Sequence, residues 1–377
     1  MAVTFATGLE AQAVSVDFSQ AGAALSGTAA YSTAQHRTGA ASVRCNPASS
    51  AQGFINLNGA VAGWWHFGLF VASAPTLDRY IAGNATGVGL MLTSTSALKF
   101  MNANAQVGST TAALSAGWHW IGMRTSTGTS VDFLQVDGVA VVTATATVSS
   151  PGLGAIGCSA SEASAIDIYF DDIIADGAGF IAPSNVDIAF PISDSTRTAV
   201  TAGAGGTTNL WDAVNNTPPA GVASASETNT SNIKFPASVS GTYAANLETY
   251  TTLGIGASDT FLGVQSVFRH GEDIATGTKT CNLPTVTNPT FNDAGTFTFG
   301  NDAGAHAAEV GLWVTVLSTF RVGGTDITLG SSPVIRFDRV SEARVGCIDF
   351  MGLLVAWTPA AVAQVPYVNP MPPLLAQ

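Results

Sequence analysis

Side chains that could do chemistry are few in this 377-residue chain, and most of them are acids. The densest group lies in Ile166-Asp-Ile-Tyr-Phe-Asp-Asp-Ile-Ile174, whose apolar residues alternate as in a half-buried strand. Strict alternation places Ile166, Ile168, Phe170, Asp172 and Ile174 on one face, the core face, and turns Asp167 and Asp171 to solvent. An ionised Asp172 would then need a partner, because an unpaired buried charge is very costly. A cation would serve, and so would an arginine or backbone amides; a β-bulge turning Asp172 outward would remove the need. Glycoside hydrolysis asks for paired acids, such as Glu-x-Asp-x-Glu along one strand, to supply a nucleophile and a general acid. The sequence contains no such triplet, so the chain is expected not to be an enzyme.

The other candidates read as structure. His270-Gly-Glu-Asp273 joins a histidine to two acids, but it falls where the strand Phe261–His270 should turn, which predicts a solvated turn. His66 and His119 stand beside tryptophans in apolar strands and are expected to be hydrogen-bonded sandwich residues, not ligands. Gly203-Ala-Gly-Gly206 lacks the lysine and following helix of a phosphate-binding loop. Trp64 and Trp65 are adjacent, so one faces the core and the other faces out. The outward ring could stack on a sugar, anchor a subunit contact, or be covered by a loop of its own domain. Cys45, Cys158, Cys281 and Cys347 form no C-x-x-C pair, which excludes zinc-ribbon and thioredoxin-like chemistry. Buried free thiols are expected, with a Cys45–Cys158 bridge as the alternative.

Composition narrows the functional classes. Hydrophobic residues make up 46% and charged residues 10%, so the surface must be covered largely by Ser, Thr, Asn, Gly and Ala. A net charge of −12 with no basic patch excludes a nucleic-acid binder, which must displace counterions from phosphate. The opening Met1-Ala-Val-Thr-Phe5 has neither the basic nor the apolar region of a secretory signal. Apolar runs such as Val61–Val71 are broken by Gly63, His66 and Gly68, and none reaches the ~20 residues of a membrane-spanning helix, so no membrane insertion is expected.

The elements that must hold these residues are strands. No stretch sustains a helical apolar period, whereas short alternating segments bounded by Gly, Ser, Thr, Asn and Pro recur throughout. Val131–Val136, Asp137-Gly138 and Val139–Val142 predict a hairpin with a type I′ turn. Gly117–Arg124 puts Trp118 and Trp120 on one face. Gly177-Ala-Gly179 and Pro183-Ser184 end the first half. Strands are expected at Val186–Phe190, Phe261–His270, Val310–Arg321, Val334–Val340 and Cys347–Trp357, before a tail ending Pro370-Met-Pro-Pro-Leu-Leu-Ala-Gln377. The expected fold is all-β: two tandem antiparallel β-sandwich (jelly-roll) domains, residues 1–182 and 183–359, with a short extended C-terminal tail, residues 360–377.

Phe5-Ala-Thr-Gly-Leu-Glu10, His36-Arg-Thr-Gly-Ala-Ala-Ser-Val43, Gly117-Trp118, Val136-Asp-Gly138 and Ile168-Tyr-Phe-Asp-Asp-Ile173 occur in an order that resembles laminin-G-like and concanavalin A-like jelly rolls. Leu210-Trp-Asp-Ala-Val-Asn-Asn-Thr-Pro-Pro219 and Gly263-Val-Gln-Ser-Val-Phe-Arg269 resemble domains that accompany such jelly rolls in phage tail and other virion proteins. The jelly-roll resemblance implies a structural calcium held by Asp172 together with Glu10. The virion resemblance implies a non-enzymatic structural protein of a bacteriophage, a capsid decoration or tail component on the outer surface of the particle. Its partners would be copies of itself and the major capsid or tail proteins. The alternatives are a host-glycan-binding adhesin on a tail tip or fibre, with Trp64 and Trp65 as the candidate contact, and more remotely a glycan hydrolase.

Overall fold

The computed structural model describes residues 3–7, 23–83, 87–126, 129–148, 152–202, 209–214, 233–236, 238–272, 279–282, 296–299, 313–317, 321–322, 332–339 and 346–360. These form an all-β molecule of tandem antiparallel sandwiches, with no α-helix among the described residues. The Pro-rich tail lies outside them.

Strands from Val3–Thr7 to Asp167–Asp176 build two sheets. The front sheet runs Val139–Thr147, Thr129–Val136, Trp118–Arg124, Trp64–Ser73, Asp167–Asp176, Ser42–Cys45, Ala30–Ser32. The back sheet runs Ala105–Val107, Leu98–Asn102, Val88–Leu92, Arg79–Gly83, Leu153–Cys158, Gly53–Val61, Ala23–Gly27. Between them Phe67, Leu69, Phe100, Phe133, Ile156 and Phe170 form the core. Burying each such side chain contributes roughly 1.5–3 kcal/mol. The predicted hairpin is present: Asp137 and Gly138 both adopt positive φ, 53° and 79°, as a type I′ turn requires.

From Asn185–Ala189 to Gly346–Thr358 a second pair of sheets packs around Tyr243, Leu247, Phe337, Leu353 and Val355. The strand Thr260–Glu272 carries His270 on without a turn, pairing Glu272 with Gly346, because the long strand Gly346–Thr358 offers it partners throughout. His270, Gly271 and Glu272 thus continue the strand where a turn was predicted, while Asp273 and the side chains of this cluster lie outside the described set. The expected strand Val310–Arg321 is present as Trp313–Leu317 with a separate short segment, Arg321–Val322.

Both sandwiches share one device. The last strand of each is central in its sheet and takes two successive partners along one edge. Asp167–Asp176 pairs first with Ser42–Cys45 and then with Val3–Thr7. Gly346–Thr358 pairs first with Ile233–Phe235 and then with Asn185–Ala189. In the first sandwich the change of partner coincides with a bulge between Asp171 and Ile174, where Asp172 has φ 48°. The bulge overturns strict alternation. Beyond it Ile173 and Ala175 face the core, while Ile174 turns to the opposite side and joins Ala6, Trp120, Ile181, Ile188, Leu262 and Leu354. That cluster draws residues from both halves and closes an apolar seam between them.

Candidate functional site

The outer face of the front sheet carries the most unusual surface. Phe67 and Leu69 of Trp64–Ser73 fill the core, so Trp64, His66, Gly68 and Phe70 point away from it. Cross-strand pairing then aligns a row: Trp118 stands opposite Phe70, Phe70 opposite Tyr169, and Tyr169 opposite Arg44. Ring centroids lie 5.7 Å apart for Trp118–Phe70 and 5.9 Å for Phe70–Tyr169, with the planes tilted by 49° and 82°. Arg44 ends the row, its guanidinium 5.6 Å above the Tyr169 ring. It grips Asp167 through two parallel hydrogen bonds, Nε to Oδ1 at 2.8 Å and Nη2 to Oδ2 at 2.7 Å. Trp118 and Phe70 are half-buried, the Arg44 side chain is 40% exposed, and Tyr169 lies beneath them at 5%. A tilted aromatic surface with a paired guanidinium and carboxylate at one end offers a ring face for stacking, with donors and acceptors for hydroxyl groups beside it.

The middle of the same face is closed. Gly68 and Gly122 stand opposite Trp120 and His66. A Cβ at Gly68 would meet Arg37 Cδ at 2.9 Å, and one at Gly122 would meet Phe180 Cδ1 at 2.9 Å. The two glycines let Arg37 and the 177–184 segment descend onto the sheet. His66 packs parallel to Trp120 with centroids 6.0 Å apart and accepts the Ile181 amide on Nε2 at 3.1 Å. Burial pushes its pKa down to about 4, so the ring is neutral over most of the pH range.

Trp64 and Trp65 divide as adjacent strand residues must. Trp65 is 2% exposed within the core, and Trp64 is half-buried on the outer face with the Arg124 guanidinium 5.4 Å from its ring. Of the two, only Trp64 reaches the surface, at the opposite end of the face from Trp118.

Asp172 leaves the core face and is fully buried on the other side of its strand. Its Oδ2 accepts from Arg37 Nη1 at 2.5 Å, and its Oδ1 accepts from Thr38 Oγ1 and from the Val186 amide, at 2.5 and 2.6 Å. Arg37 Nη1 also donates to the Ser184 carbonyl at 2.6 Å and lies over Trp120 at 5.0 Å. Asp171, expected in solvent, is fully buried as well. It keeps the outer face that alternation predicts, but the 37–38 loop covers it there, and it accepts the amides of Arg37 and Thr38. Burial raises the pKa of both acids, with Arg37 and the hydrogen bonds opposing the rise at Asp172. Asp187, on the next strand, is pushed up to about 6, chiefly by burial. Glu10, the expected calcium partner, lies outside the described residues. Among the described residues no group of three or more His, Cys, Asp or Glu side chains is placed to hold a metal. Asp172 therefore acts as a tie between the first sandwich and the strand that opens the second.

His119 also has partners that sequence did not supply. Nδ1 lies 2.8 Å from Asp137 Oδ2, and Nε2 lies 3.2 Å from Ser115 Oγ and 3.0 Å from the Ser115 carbonyl oxygen. The order Ser115, His119, Asp137 has the outline of a nucleophile, base and orienting acid. Nε2, however, is nearer the carbonyl than the hydroxyl. The hydrogen bond to Asp137 raises the His119 pKa, which favours an imidazolium donating from both nitrogens. A protonated ring donates from Nδ1 to Asp137 and from Nε2 to the Ser115 carbonyl, and in that state the arrangement is a clasp.

Cys45 and Cys158 are buried free thiols in the core between the sheets, and burial pushes the Cys158 pKa up to about 12. The row Trp118–Phe70–Tyr169–Arg44 was missed because it is made by register across four strands. The only local signal for it was the alternation in Gly117–Arg124.

No family model matches the chain, and no curated protein matches it. Among solved structures it is similar to the cellulose induced protein Cip1, at 15% identity over 46% of this chain and 100% of that one, TM-score 0.36. It is also similar to the N-terminal CBM22-1-CBM22-2 tandem domain from Paenibacillus barcinonensis Xyn10C, at 10% identity over 94% and 97% of the two chains, TM-score 0.26. A third is the binding domain of botulinum neurotoxin serotype D/C, at 7% identity over 87% and 93%, TM-score 0.29. At scores this low, nothing about ligand or role passes from those proteins to this chain.

Proposed function

We propose that the chain is a non-enzymatic glycan-binding module whose first sandwich holds a sugar on the outer face of its front sheet. The observation that supports this is the cross-strand row of Trp118, Phe70, Tyr169 and Arg44, with Asp167 paired to the arginine. Half-exposed rings offer a surface to the apolar face of a pyranose, and the ion pair offers fixed donors and acceptors to its hydroxyls. The test is calorimetric titration with cellohexaose, a neutral pyranoside chain, and sialyllactose, an acidic one, followed by a glycan array. Binding should fall about tenfold or more in Trp118→Ala, as for an aromatic anchor, and should survive Trp64→Ala. An array without binding, or wild-type affinity in Trp118→Ala, would overturn the reading.

A second reading keeps the same face but seats a protein on it: a structural subunit of a phage virion, packed on the outer surface of the particle against copies of itself or capsid or tail proteins. Its support is the charge-poor composition, 10% Asp, Glu, Lys and Arg. Self-association by light scattering that Trp118→Ala abolishes, without glycan binding, would favour it.

A further inference from the structure

We infer that His119 and Asp137 position Trp118, the end of the proposed sugar-stacking row, through a clasp that is closed while the His119 ring is protonated and rearranges when it loses that proton. The inference rests on the glycan-binding reading and adds a regulation to that site. Trp118 enters its strand from the turn Ser115-Ala-Gly117, where Gly117 has φ 122°, a conformation that side-chain-bearing residues rarely adopt. The His119 ring reaches back to Ser115, before Trp118, and across to Asp137. Asp137 in turn grips the residue on the far side: its Oδ1 accepts the Trp120 amide at 2.8 Å, and its own amide donates to the Trp120 carbonyl at 2.8 Å. The backbone on both sides of Trp118 is therefore fastened to one imidazole–carboxylate pair at the Asp137-Gly138 turn.

Two protonation states use Ser115 differently. As an imidazolium, His119 donates from Nε2 to the Ser115 carbonyl at 3.0 Å. As a neutral ring still donating from Nδ1 to Asp137, it presents a lone pair on Nε2, which repels that carbonyl and suits the Ser115 hydroxyl at 3.2 Å. The hydroxyl is already in range, so it is the repulsion between the Nε2 lone pair and the carbonyl at 3.0 Å that displaces the turn before Trp118. Among the described residues, the charges acting on the pair are each other and Arg37, which acts on Asp137 from the 37–38 loop; Leu69 faces His119 across the sheet. The Asp137 hydrogen bond raises the His119 pKa above 6.5. Burial opposes the charge of Asp137, but hydrogen bonds from His119 and Trp120 outweigh it and hold that carboxyl low. A raised histidine contributes stability that is present below 6.5 and lost as pH rises through its folded pKa. The clasp accordingly opens on the alkaline side of that pKa.

The test is an NMR titration of the His119 ring and the Trp118 indole in the full chain, with cellohexaose and sialyllactose affinities at pH 6 and pH 9. The expected result is a His119 midpoint above 6.5, with the Trp118 signal moving at the same midpoint. Asp137→Asn should lower that midpoint. Ser115→Ala should raise it, because only the neutral ring uses the hydroxyl. Affinity should fall about tenfold for each pKa unit by which ligand raises the midpoint. A midpoint at or below 6.5, a Trp118 signal that ignores it, or a midpoint unmoved in both variants would overturn the clasp. If neither sugar binds while both signals titrate together, the glycan reading fails and the positioning of Trp118 stands. If a sugar binds equally at both pH values with Trp118 unmoved, the positioning fails and the glycan reading stands.

Discussion

Replacing Arg37 by methionine removes the one cation in hydrogen-bond contact with Asp172 among the described residues, while keeping an apolar stem to cover Trp120. Two fully buried carboxyl groups, Asp171 and Asp172, then remain without it, and the Ser184 carbonyl loses its donor. Breaking a buried pair from one side costs about 3–5 kcal/mol, since an uncompensated charge stays behind. The molecule has one way to limit the loss, which is to take up a proton. Both carboxyls already have raised pKa values, and without Arg37 that of Asp172 rises further. A carboxyl whose folded pKa is raised contributes stability at low pH that is lost as pH rises through that pKa, at about 1.4 kcal/mol per unit. The Arg37→Met deficit should therefore shrink by up to roughly 2.7 kcal/mol between pH 7.5 and pH 5.5. Adding Asp172→Asn should bring stability back to within about 1 kcal/mol of wild type. Asparagine tolerates the φ of 48° at that position and keeps an acceptor for Thr38 and Val186. Urea unfolding at the two pH values, for wild type, Arg37→Met and the double variant, measures all three quantities. A single-variant cost under about 1 kcal/mol at pH 7.5, or an equal cost at both pH values, would refute the assignment of Arg37 and Asp172 as an interdomain tie.

Other changes test the seam and the core. Gly122→Ala should cost about 1–3 kcal/mol by overpacking, because the new Cβ falls 2.9 Å from Phe180 Cδ1 and 3.1 Å from His66 Cδ2. Proteolysis of the 177–184 segment should quicken in that variant. Wild type should lose about 3 kcal/mol more than His66→Gln between pH 7 and pH 4, since a histidine depressed from 6.5 to about 4 contributes stability that fades as pH falls through that window. Acid-limb denaturation curves that superimpose would contradict a neutral buried His66. Phe170→Ala should cost about 3–5 kcal/mol in thermal or chemical unfolding, as the ring is fully buried and packs 5.6 Å from Phe67.

Much of the fold was legible locally. The Asp137-Gly138 hairpin, the Trp118–Arg124 strand and the apolar strands that close each half follow from turn chemistry and a period of two, which depend on neighbours in sequence. Asp172 was misplaced by that same rule, whereas Asp171 keeps the predicted face and is buried there by the 37–38 loop. A bulge inserts one residue, reverses the phase of everything after it, and is set by the hand-over from Ser42–Cys45 to Val3–Thr7, strands more than a hundred residues away. The aromatic row failed to appear for a related reason, since register alone sets Trp118 beside Phe70 and Phe70 beside Tyr169.

The sequence by itself determined that the chain would be all-β, poor in charge, and supplied with one adjacent tryptophan pair divided between core and surface and another pair sharing a face. Tertiary structure alone decided which partners those residues met. It gave Asp172 an arginine and a backbone amide, put Ser115 and Asp137 on either side of His119, and laid three rings and a guanidinium in line. Alternation fixes which side of a strand a residue faces; only the pairing of distant strands fixes what it faces there.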